Sequence, residues 1–120
     1  MARMTKRDKT HAALPPAVFQ LLLALRGGEQ HGYALIQRVE QLTDGRVRMG
    51  PGTLYGAIKR MLADGLIEES DERPDPALDD QRRRYYRLTG KGAEVCDAEV
   101  ARLESLLRNA RRMLPKARPA

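Results

Sequence analysis

From Ala93 onward, seven residues fall at alternating intervals of three and four: Ala93, Cys96, Val100, Leu103, Leu107, Ala110 and Leu114. That is a heptad seam, the mark of a long helix with one apolar edge. Glu94, Asp97, Glu99, Arg102, Glu104, Arg108, Arg111 and Arg112 occupy its other faces. A helix of about 22 residues is about 33 Å long, more than a compact core built from the preceding segment can cover. Leaving Val100, Leu103, Leu107 and Leu114 in water forfeits roughly 1.5–3 kcal/mol each, and association entropy offsets only part of the gain from covering them. A single seam most simply makes a two-fold dimer. The expected dimerisation residues are Cys96, Val100, Leu103, Leu107, Ala110 and Leu114.

A second stretch, Gly50 to Ile67, carries its own stop signals. Pro51 suits a first helical position, where its missing N–H has no partner to lose. Leu54, Ile58, Met61 and Leu62 recur at helical spacing, and Gly65 suits the left-handed residue that closes a helix. The spacing predicts a helix of about 13 residues, held to a core by those four side chains. Thr53, Gly56, Lys59, Arg60 and Ala63 point the other way, with Tyr55 on the border. This outer face is small, polar and basic, as a helix entering a DNA major groove requires. The same pattern also describes an ordinary amphipathic helix with a solvated face.

The remaining segments supply a frame. Val18, Leu21, Leu22 and Leu25 predict a helix from about Pro15 to Arg26, ended by Gly27-Gly28. After His31-Gly32-Tyr33, residues Leu35, Ile36, Val39 and Leu42 predict a second helix that stops near Asp44-Gly45. Arg46-Val47-Arg48-Met49 reads as an extended link. Three short helices with tight turns, the third basic, make a helix-turn-helix. Leu66–Ser70 and Arg82–Leu88 read as strands, and the prolines between them require a long tip. The expected fold is therefore mainly α with a small β-hairpin: a winged helix-turn-helix followed by a long dimerisation helix. Its parts are a basic arm (1–13), the DNA-binding unit (14–90), the dimerisation helix (91–114) and a tail (115–120).

Charge is uneven along the wing. Glu68 to Asp80 holds seven carboxylates and one Arg, whereas Arg82 to Arg87 holds four Arg and no acid. Phosphates would attract the return strand and repel the tip. The alternative for Arg82, Arg83 and Arg84 is ion pairing with the acidic tip, which adds little stability when exposed. The whole chain has 22 Lys+Arg against 16 Asp+Glu, a formal net charge of +6, which favours an anionic partner such as nucleic acid. No apolar run approaches a membrane span, and the N-terminus has no signal-peptide pattern, so a cytoplasmic protein is expected. One cysteine and two histidines offer no metal-ligand spacing. No catalytic constellation or cofactor motif is present, and the reading is non-enzymatic. His31, at a helix start, is expected to cap or contact backbone.

In these motifs the chain resembles the PadR family of bacterial transcriptional regulators. The resemblance runs from about Leu14 to Leu107. It is carried by His31-Gly32-Tyr33, Pro51-Gly52-Thr53-Leu54-Tyr55, Gly65-Leu66-Ile67 and Arg84-Tyr85-Tyr86-Arg87-Leu88-Thr89-Gly90-Lys91-Gly92. A single C-terminal helix is similar to the family's shorter branch. The resemblance implies a homodimeric repressor that binds an inverted repeat in double-stranded DNA near its own or a neighbouring gene. It also implies a small-molecule effector bound near the dimer interface. It assigns Tyr33, Thr53, Tyr55 and Lys59 to DNA contact; charge and facing add Arg60 and Arg82 to Arg84. The alternative for Tyr33 and Tyr55 is a core aromatic with a hydrogen-bonded hydroxyl. The alternative for the whole chain is a winged-helix protein-interaction module or adaptor.

Overall fold

The structure, a computed structural model, describes residues 14–70 and 84–115. The expected basic arm, the wing tip, Arg82 and Arg83 lie outside the described residues. Among the described residues, four helices and three short strands follow one another as α1 (Pro16–Arg26), β1 (Gln30–His31), α2 (Gly32–Leu42), α3 (Pro51–Ala63), β2 (Ile67–Glu69), β3 (Tyr85–Leu88) and α4 (Gly90–Met113). The fold is a winged helix with a long C-terminal helix.

Each helix ends where its chemistry demands. In α2 the His31 Nδ1 accepts the Ala34 N–H at 3.1 Å, so the imidazole is the N-cap. Beyond α3, Gly65 takes φ 73°. Its N–H then reaches the Leu62 carbonyl at 3.2 Å while the Leu66 N–H reaches Met61 at 2.9 Å, the paired bonds of a Schellman ending. That turn sends the chain directly into β2. The expected hairpin is part of a three-stranded antiparallel sheet in the order β1-β3-β2. Strand β1 has only two residues and no readable alternation. It pairs Gln30 with Tyr86 and His31 with Tyr85.

One core serves all four helices. Leu21 and Leu22 of α1, Leu35 and Val39 of α2, Leu54 and Met61 of α3, and Cys96 of α4 are fully buried. Two expectations are corrected here. Leu62 is not a core anchor: it is 36% exposed at the rim, because Leu54, Ile58 and Met61 already fill the inward arc. Cys96 is not at a dimer surface: it is enclosed in its own chain's core, where burial pushes its thiol pKa up and disfavours the reactive thiolate. Helix α4 also starts earlier than expected, at Gly90, and has 24 residues. Leu114 lies just past it as the C-cap.

The start of α4 is fastened to the end of α3. Thr89 Oγ1 accepts the Gly92 N–H at 3.0 Å and donates to the Gly65 carbonyl at 2.6 Å. The Thr89 N–H donates to Leu66 O at 3.1 Å, and Lys91 Nζ donates to Asp64 O at 2.9 Å. Gly92 lies so close that a Cβ there would sit 1.9 Å from the Leu66 carbonyl oxygen. Further along, α4 is tied to α1 by a bidentate pair, Arg26 Nε to Asp97 Oδ1 at 3.0 Å and Nη2 to Oδ2 at 2.9 Å. Glu99 is buried. It accepts two bonds from Arg102 at 2.8 Å each.

Gly92→Ala lowers the unfolding free energy in urea by about 3 kcal/mol or more, since backbone must move. Gly56→Ala, where nothing lies within 4 Å of the added carbon, raises it by up to about 1 kcal/mol. The Arg102 hydrogen bonds hold the Glu99 carboxyl below the usual carboxylate range. A group lowered in the folded state contributes stability that is complete above its unfolded pKa, about 4.3 for Glu. That stability is lost as pH falls through the folded value. The melting temperature of Glu99→Gln is therefore expected to fall less steeply than wild type below about pH 4.3.

Candidate nucleic-acid interface

Helix α3 divides cleanly into two faces. Leu54, Ile58 and Met61 are buried, whereas Gly52, Thr53, Gly56, Lys59, Arg60 and Ala63 are exposed. At 100° per residue the exposed set spans an arc of about 120°. Lys59 makes no ion pair with a described residue. Arg60 has only a loose i,i+4 partner, Nε to Asp64 Oδ2 at 3.9 Å with both side chains mostly exposed, an arrangement that contributes little. No acid lies in the first turn of the helix. The face can therefore present two cations, a hydroxyl and close backbone approach to an anionic surface.

Not all the expected contact residues share that face. Tyr33 is exposed in the first turn of α2, so its hydroxyl is accessible. Tyr55 is half-buried with its hydroxyl enclosed. Its ring lies against Gly32, 3.4–3.7 Å from where a Cβ would stand. In this position Tyr55 seats α3 on the first turn of α2, and its hydroxyl does not point outward. The capping imidazole of His31 meets the ring of Tyr85 edge-on, with centroids 5.5 Å apart. The motifs around His31, Pro51 and Arg84 thus converge at one corner of the molecule.

On the wing, the arginines of the return strand face glutamates. Glu68 stands opposite Arg87 in the β2–β3 register, and their side chains meet at 2.8 Å. Arg84 Nη1 lies 3.5 Å from Glu69 Oε2. Arg84 therefore follows the ion-pairing alternative, with a partner in β2.

Sequence reasoning assigned no role to the link before α3. Exposure alternates along it: Val47 and Met49 turn inward, while Arg46, Arg48 and Gly50 are exposed. Arg48 Nε lies 3.2 Å from Glu40 Oε2 of α2. The signal was the period of two in Arg46-Val47-Arg48-Met49.

The seam of α4 splits in two. Cys96 is buried in the chain's own core, and Ala93, Val100 and Leu103 are half-buried. Beyond them Leu106, Leu107, Met113 and Leu114 are 56%, 52%, 83% and 64% exposed, with Ala110 half-buried between. Leu106 and Met113 extend the seam by the i, i+3 steps that the heptad spacing skipped. Among the described residues no group of His, Cys, Asp and Glu could hold a metal ion. Likewise, none of the described helices is long and apolar enough to cross a membrane.

Comparison with known proteins gives a consistent result. Residues 21–98 match the transcriptional regulator PadR-like family. The transcriptional regulator Rv3488 of Mycobacterium tuberculosis is 38% identical over 80 residues, 67% of this chain and 68% of that protein. An uncharacterized 37.1 kDa protein in transposon TN4556 of Streptomyces fradiae is 36% identical over 80 residues, 67% of this chain but only 21% of that protein. Among solved structures, a PadR family transcription regulator from Clostridium difficile superposes with a TM-score of 0.67 at 20% identity, covering 84% of this chain and 100% of that one. The basic helix α3, the wing beside it and the family match over residues 21–98 lead to one assignment: this chain belongs to the PadR-like family of transcriptional regulators.

Proposed function

We propose that the protein is a homodimeric repressor that binds an inverted repeat in double-stranded DNA at its own or a neighbouring gene. The observation that carries this reading is the outer face of α3, where Thr53, Lys59 and Arg60 stand exposed. Lys59 and Arg60 neutralise phosphates and release counterions, which makes affinity steeply salt-dependent. Thr53 and Tyr33 fix register on the backbone through their hydroxyls. Tyr55 contributes by holding α3 against α2. Arg82, Arg83 and Arg84 bring the wing's return strand to the neighbouring backbone, Arg84 exchanging Glu69 for phosphate.

The dimer is formed by the distal part of α4. Val100, Leu103, Leu107, Ala110 and Leu114, joined by Leu106 and Met113, make one apolar stripe that a second copy covers. The proximal part of the same helix belongs to the DNA-reading unit, so the division near residue 90 is one of role within a continuous fold. Two-fold symmetry places the two α3 helices about one DNA turn apart, roughly 34–36 Å. A small-molecule effector acts by changing that spacing, and α4 is the element through which it can do so. An adaptor role would leave the exposed cations of α3 without a function. A gel shift with the DNA upstream of the chain's own gene separates the two readings.

Lys59→Ala is expected to weaken binding to every duplex and to flatten the dependence of log affinity on log salt by about one unit. An unchanged slope removes Lys59 from the phosphate contacts. Leu106→Asp combined with Leu107→Asp changes two side chains already half in water, so the monomer fold survives. Sedimentation should show a monomer, with operator affinity down about a hundredfold or more as paired binding is lost. A double variant that still sediments as a dimer contradicts the stripe.

A further inference from the structure

We propose that Arg46 and Arg48 are additional DNA-backbone contacts, and that Glu40 competes with phosphate for Arg48, acting as a built-in brake on affinity. This rests on the DNA-binding reading above and adds to it a regulating acid that no motif announces. Exposure alternates along the link, Arg46 and Arg48 outward and Val47 and Met49 inward, the period of two at which side chains share a side. Arg46 and Arg48 therefore leave the link together, on the side opposite Val47 and Met49, immediately before α3 begins. Their delivery is fixed by a pinned turn. Thr43 Oγ1 accepts the Val47 N–H at 3.0 Å and donates to Val39 O at 2.9 Å. The Gly45 N–H reaches Glu40 O at 2.7 Å and the Arg46 N–H reaches Thr43 O at 3.1 Å.

Arg46 makes no ion pair with a described residue. Arg48 is held by one contact, Nε to Glu40 Oε2 at 3.2 Å, and its side chain remains 81% exposed. The pairs Arg26–Asp97 and Arg102–Glu99 are bidentate by contrast. A guanidinium has five N–H donors, and most of those on Arg48 face water. So exposed and single-pronged a pair contributes little stability. Glu40 is also the only acid in α2 and lies within about 60° of Tyr33 and Gln37 around that helix. Tyr33 and Gln37 are exposed. A carboxylate on this face, touching a cation beside the reading helix, opposes phosphate at that point and is exchanged for it on binding.

The test measures binding by fluorescence anisotropy across a potassium chloride series. The probes are a selected operator and a duplex of arbitrary sequence; the variants are E40Q, R48A, R46A and E40Q/R48A. Melting temperatures check that each variant folds. E40Q is expected to bind both duplexes about three- to fivefold tighter. Adding R48A to E40Q should abolish that gain and flatten the salt slope by about one unit. In the presence of Glu40, R48A should flatten it by clearly less. R46A should flatten the slope by about one unit in either background. Unchanged affinity in E40Q, or an equal effect of R48A in both backgrounds, overturns the brake while wild-type binding stands. An unchanged slope in R46A removes Arg46. A wild-type protein that binds neither duplex brings down the DNA-binding reading and this proposal together.

Discussion

The absent side chain at Gly92 is what the rest of the molecule is built around. Backbone of α4 passes so near the Leu66 carbonyl that any Cβ would overlap it. Thr89 and Lys91 close the same joint by donating to the carbonyls of Gly65 and Asp64. Those carbonyls are the last of α3 and its turn, groups a helix end must otherwise leave to water. One joint thus satisfies the end of the reading helix, caps the start of the long helix and anchors the root of the wing. The direction in which α4 leaves the core is set there. So is the place where its uncovered apolar stripe can meet another copy.

A second joint, at the other end of α3, uses an aromatic ring where the first uses the lack of a side chain. Tyr55 packs on Gly32, beside the imidazole that caps α2 and meets Tyr85 of the sheet. Helix α3 is therefore clamped at both ends to elements that do not themselves carry its basic face. Affinity for a regular lattice of phosphates depends on such rigidity, because a helix that rocked would surrender its register at each contact.

Much of this was legible in the chain. The helices declared themselves through apolar spacing and through Pro51 and Gly65. His31 was readable as a helix-start residue, and the outer face of α3 was readable as basic. What escaped were features that depend on distance through space. Strand β1 is too short for periodicity and exists only because β3 passes beside it. The heptad spacing treated Cys96 and Leu107 alike, although α1 covers one and nothing described covers the other. Tyr55 looked like an outward residue on the helix border, and only the position of α2 shows that its hydroxyl turns in. Arg84 looked like a free cation until Glu69 was placed across the sheet from it.

That last point bears on how a basic protein directs its charge. Several of the described arginines already face a carboxylate: Arg26, Arg48, Arg84, Arg87 and Arg102 each have a Glu or Asp within 3.5 Å. Exposed pairs of this kind contribute little to folding, yet each removes a positive charge from the field that a polyanion senses. Hydrogen bonds from Arg26 and Arg102 hold the Asp97 and Glu99 carboxyls below the usual carboxylate range, which favours the ionised, paired form. On or next to α3, Lys59, Arg46 and the loosely held Arg60 and Arg48 remain, and a second group, Arg108, Arg111 and Arg112, lies in the distal half of α4. Within the winged-helix unit, the cations left over gather at the helix that the two joints hold still. Pairing of Arg26, Arg84, Arg87 and Arg102 elsewhere on that unit leaves the face of α3 with the larger share of its attraction for a polyanion.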